Sequence, residues 1–80
     1  MNPAILSKIL ILITKSTFND TDVILKPTFV ETDEFYVLIK EYYSLYYSNK
    51  SDNLSLDIPL RIQKLYTNNN KIKDFLDGIE

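Results

Sequence analysis

Asp20, Asp22 and Glu31 stand at positions 1, 3 and 12 of a would-be twelve-residue calcium loop, where oxygen ligands recur at a metal-binding spacing. The match fails where the geometry is strictest. Position 5 is Ile24, position 6 is Leu25 where the sharp turn requires glycine, and position 8 is Pro27. A solvated acidic loop fits these residues better. With no cysteine and no histidine, the chain also lacks disulfides, thiolate ligands, the commonest zinc ligand and the commonest general base. No metal and no cofactor are expected.

Catalytic arrangements lack parts in the same way. Gly78 is the only glycine, so no glycine-rich phosphate loop can be built. A nucleophile would have to be Ser, Thr, Lys, Tyr or a carboxylate working without histidine, and neither a Ser-x-x-Lys run nor a glycine-flanked serine occurs. Asp33 and Glu34 are sequential on a helix surface and do not face each other. No catalytic residue is assigned, and the chain is expected not to be an enzyme. Asn-x-Ser/Thr triplets begin at Asn19, Asn49 and Asn53, but chance accounts for them in a chain with seven asparagines.

Two groups of residues suit binding rather than catalysis. Arg61, Lys64, Lys71 and Lys73, with Gln63, Tyr66 and Asn68 to Asn70 between them, are types that contact phosphates and stack on bases. They are the candidate nucleic-acid contacts. Four charges neutralise only a few phosphates, however, and Asp57, Asp74 and Asp77 oppose them, so nucleic-acid binding by this chain alone is not expected. The second group is aromatic. Residues 35–47 hold five of the six tyrosines. At a helical repeat of about 100° per residue, Phe35, Leu38, Ile39, Tyr42, Leu45 and Tyr46 share one face. Tyr36, Lys40, Tyr43 and Tyr47 form a second line roughly a quarter turn away. Together they span an arc of about 200°, wider than a one-sided helix needs. The second line is therefore the candidate partner-binding surface, since tyrosine gives large contact area at low entropic cost.

The elements that must position these residues read as helices. Asn2 is an N-cap and Pro3 the first residue of a helix that gathers Ile5, Leu6, Ile9, Leu10, Leu12 and Ile13 on one arc, with Lys8 and Lys15 opposite. The apolar run is too short for a bilayer, which needs about 20 residues, and Lys8 interrupts it. Nor does it have the layout of a signal peptide, so an intracellular protein without a membrane span is expected. Residues 16–26 read as a loop, with Val23 to Leu25 as a short extended piece. Pro27 or Thr32 opens a long helix that runs to Ser48 and ends in a polar cluster at 49–53. Asp57 caps a third helix with Ile58, Ile62, Leu65 and Tyr66 on one face, and Asn68-Asn69-Asn70 breaks it. Ile72, Phe75, Leu76 and Ile79 mark a last one, with Gly78 near its end.

The fold class expected is all-α, a single helical domain over residues 1–80 with three to four helices around one long central helix. A chain of 80 residues with 45% hydrophobic content hides only about 60 to 65% of its unfolded surface. Surplus apolar surface on the central helix then points to another molecule. The leading reading is a small non-enzymatic protein, whether subunit, adaptor or inhibitor, that binds a protein partner or itself through the tyrosine-rich helix. The order short helix, long central helix, short helix is also similar in layout to histone-fold subunits. That resemblance implies a nucleic-acid-associated complex in which the chain works as a heterodimer. It covers element lengths and no motif.

Overall fold

In a computed structural model that describes residues 2–15, 21–48 and 56–79, the chain is all-α. Asn19, Asp20 and the polar cluster at 49–53 lie outside the described residues. Five helices are present among those described: α1 (Pro3–Lys15), α2 (Thr21–Leu25), α3 (Glu34–Tyr47), α4 (Asp57–Asn68) and α5 (Asn70–Asp77). None is long and apolar enough to cross a membrane.

The start of α1 is as its residues dictate. Asn2 Oδ1 accepts from the Ala4 N–H at 2.9 Å and its carbonyl accepts from Leu6, while Pro3 occupies the first helical position where no amide proton is needed. The Asn2 N–H donates to Gln63 Oε1 at 2.9 Å, which ties the start of α1 to α4. Ile5, Ile9, Leu12 and Ile13 are buried, with Leu6 and Leu10 half-buried at the edge of the same arc.

Residues 21–25 depart from the expected loop and extended piece. They form a helical turn that buries Thr21 and Leu25 and leaves Val23 exposed. Isolated turns of this length are unstable in water, so packing holds α2 in place. Pro27 does not open the next helix. It follows α2, where a residue without an N–H cannot continue the helix, and the amides of Thr28 and Phe29 donate back to the Leu25 carbonyl. The third helix accordingly begins later than expected, at Glu34, after Asp33 Oδ2 accepts from the Val30 N–H at 3.0 Å.

No helix dominates by length. The α3 helix spans 14 residues against 13 for α1 and 12 for α4. It still supplies the largest share of the core, with Phe35, Tyr36, Leu38, Ile39 and Tyr42 buried. On α4 the cap falls one residue earlier than expected: Leu56 takes the N-cap position and Asp57 the first turn, where its carboxylate suits the helix dipole. Pro59, Ile58 and Ile62 face inward. Asn69 alone separates α4 from α5. Its extended backbone ends one helix, and its side-chain oxygen caps the next by accepting from the amides of Lys71 and Ile72 at 2.9 and 3.3 Å.

The core has an aliphatic part, built from α1, α3 and α4, and an aromatic part. Phe29, Phe35 and Phe75 meet at centroid separations of 4.8, 5.1 and 5.8 Å in tilted and edge-on arrangements, which favour the ring quadrupoles. They join the turn before α3 to α3 itself and to α5.

Candidate functional site

The outer side of α3 carries the expected partner-binding line, and its four residues have different fates. Tyr36 is buried, so it is not available as a direct partner contact as the spacing alone suggested. The reason is α2, which lies across the first turns of α3. Tyr36 donates its hydroxyl proton to Asp22 Oδ1, and Lys40 Nζ lies 3.2 Å from Asp22 Oδ2. The carboxylate therefore receives a phenol and an ammonium together.

These contacts set the local electrostatics. The hydrogen bond from Tyr36, and then that from Lys40, hold the Asp22 carboxyl below the usual 3.8. Asp22 in turn pushes the Tyr36 phenol up to about 12, with desolvation acting in the same direction. Tyr36 is thus a neutral donor across the physiological range. Asp22, Tyr36, Val37 and Lys40 line an open groove with Glu31 at its rim, and Glu31 also meets Lys26 at 3.8 Å.

At the other end of α3 the remaining tyrosines form a cluster. The Tyr43 and Tyr47 rings are 4.7 Å apart and the Tyr46 and Tyr47 rings 5.0 Å apart. Tyr43 and Tyr46 are half-buried, while Tyr47 is 51% exposed. The Tyr47 hydroxyl donates to the carbonyl of Ile13 at 3.3 Å. Tyr47 thus reaches the last described turn of α1 with its hydroxyl while presenting its ring. The residue that spacing reasoning missed is Val37, 47% exposed between Tyr36 and Lys40. A β-branched apolar residue directly after Tyr36 and three residues before Lys40 was the signal that could have found it.

The basic segment is not brought together. Lys71 Nζ lies 4.8 Å from the centre of the Phe29 ring, a cation–π contact at the aromatic end of the core. Lys73 Nζ donates to Asp77 Oδ2 at 3.0 Å, and the Tyr66 hydroxyl donates to Asp77 Oδ1 at 2.6 Å. These bonds lower the Asp77 carboxyl, Tyr66 acting most strongly, and raise both the Tyr66 phenol and the Lys73 ammonium. Arg61 and Lys64 point outward from α4 beside Asp57 and Leu60. The four bases are thus divided between two internal contacts and one outer helix face.

The arrangement on α3 is suited to noncovalent recognition. It offers rings packed in tilted and edge-on pairs, an exposed valine and a lysine held by a carboxylate. Comparison of the chain with protein-family models, with curated proteins and with solved structures returns no match.

Proposed function

We propose that this chain is a small non-enzymatic protein that binds another protein through the outer face of α3, with Val37, Lys40, Tyr43 and Tyr47 as its contacts. The observation that supports the reading best is the tyrosine cluster, in which three rings within about one helical turn pack on each other and leave Tyr47 half exposed. Rings already held by their neighbours lose little freedom on binding, and tyrosine is among the residues that dominate interface energetics. Tyr36 supports the face from beneath by holding α2 and, through Asp22, the head of Lys40.

Photo-crosslinking residues placed at Val37 and at Val23, followed by affinity measurements with the captured partner, test this reading. Val23 is exposed on the short α2 helix and serves as the control. The expected result is capture from position 37 and a loss of about 2 kcal/mol in binding for Tyr43→Ala or Tyr47→Ala with the fold intact. Capture from Val23 alone, or an affinity unchanged from that of the unsubstituted chain in both tyrosine variants, would overturn it.

A further inference from the structure

We infer a second docking surface, on α4, that fits an acidic amphipathic helix of a partner protein. This helix turns Ile58, Pro59 and Ile62 into the core and keeps two parallel rows outside. Leu56, Leu60 and Lys64 follow each other at i, i+4 and i+8, beside Asp57 and Arg61 at i+1 and i+5. Leu56 and Leu60 are 50% and 39% exposed. Arg61 and Lys64 have no ion-pair partner among the described residues, whereas Lys40 and Lys73 are matched to Asp22 and Asp77. Two exposed leucines followed by two exposed cations make a surface with an apolar end and a basic end.

A helix that lays an apolar side chain over Leu56 and Leu60 and its carboxylates on Arg61 and Lys64 satisfies both ends at once. Other anionic partners satisfy only one. Two cations neutralise about two phosphates of a nucleic acid, and the leucines offer its bases no stacking platform. An anionic membrane requires an apolar helix face free to insert, and α4 spends that face on the core. Asp57, which has contacts of its own, sits at the apolar end and orients the partner so that its acids lie toward Lys64.

The test is a titration of the isotope-labelled full chain with a synthetic three-turn helical peptide carrying leucine and glutamate at i, i+4 spacing. Parallel titrations use the same peptide with glutamine for glutamate, polyglutamate, duplex DNA and phosphatidylserine vesicles. The expected result is saturable shifts confined to residues 56–64, with affinity falling about tenfold or more in Arg61→Ala/Lys64→Ala and several-fold in Leu60→Ala. All three side chains are exposed, so circular dichroism should show the fold unchanged. Overturning results are equal binding by the glutamine peptide or polyglutamate, tighter binding of DNA or vesicles, shifts on α3 instead, or shifts at 56–64 that appear on concentrating the chain alone. Because the shifts report residues on α4, failure here is distinguishable from failure of the α3 reading.

Discussion

Tyr36 and Asp22 are joined by a hydrogen bond that crosses from α3 to α2, and the pair is repeated in kind by Tyr66 and Asp77 between α4 and α5. In each case the same carboxylate also holds a lysine, Lys40 in the first and Lys73 in the second. A short helix is fastened to a longer one both times. The acid supplies two oxygens, and a phenol and an ammonium take one each.

Acid should loosen both fastenings. The carboxyls of Asp22 and Asp77 are held below 3.8, so their contribution is present above that pH and is lost as pH falls through their lowered folded-state values. Asp22→Asn/Asp77→Asn should lower the melting temperature at neutral pH and flatten the acid limb of the stability curve. Thermal melts of both proteins across the acid range check this.

Alkali acts on the donors. The Tyr36 phenol is raised from 10.0 to about 12, so its stabilisation is intact below pH 10 and disappears as pH rises toward 12. In an ultraviolet difference titration Tyr36 should ionise late, at about pH 12. Tyr36→Phe should remove that late step, and hydrogen exchange at α2 amides should accelerate at neutral pH.

The two sides of α3 should respond differently to truncation. Leu38→Ala and Ile39→Ala remove side chains 3% and 0% exposed and should each cost about 2 to 5 kcal/mol in denaturant unfolding. Tyr47→Ala, at a half-exposed ring, should cost about 1 kcal/mol or less. Equal losses at Ile39 and Tyr47 would contradict the assignment of the outer face.

Asn69 is the joint between α4 and α5, and its side chain satisfies two amides at the start of α5. Asn69→Ala should destabilise the chain by about 1 kcal/mol, whereas Asn69→Asp, which keeps the accepting oxygen, should be close to neutral. Chemical denaturation of the two variants measures the difference, and amide exchange at Lys71 and Ile72 localises it.

Much of this architecture was legible in the chain. Asn2 and Pro3 announce α1, the asparagine triplet announces the break before α5, and Ile72, Phe75 and Leu76 announce the face that α5 buries. These signals are local: a cap depends on one side chain and the amides within three residues of it, and a buried stripe depends on helical spacing. The second tyrosine line of α3 was equally visible as a line, but not the separate fates of its members.

What the sequence determined by itself, then, is the helical class, most helix starts and stops, and the direction in which each side chain leaves its axis. Only the tertiary structure decided what stands opposite. Thr21 to Leu25 have too few residues to form a helix from propensity, because nucleating one turn costs more than its few hydrogen bonds return. That helix exists where Leu25 enters the core and Asp22 meets Tyr36 and Lys40, and its presence turns Tyr36 from an outer residue into a buried one. The basic residues follow the same logic. Their spacing put Arg61, Lys64, Lys71 and Lys73 in one segment, but packing sent Lys71 to Phe29 and Lys73 to Asp77, leaving Arg61 and Lys64 on the outside of α4.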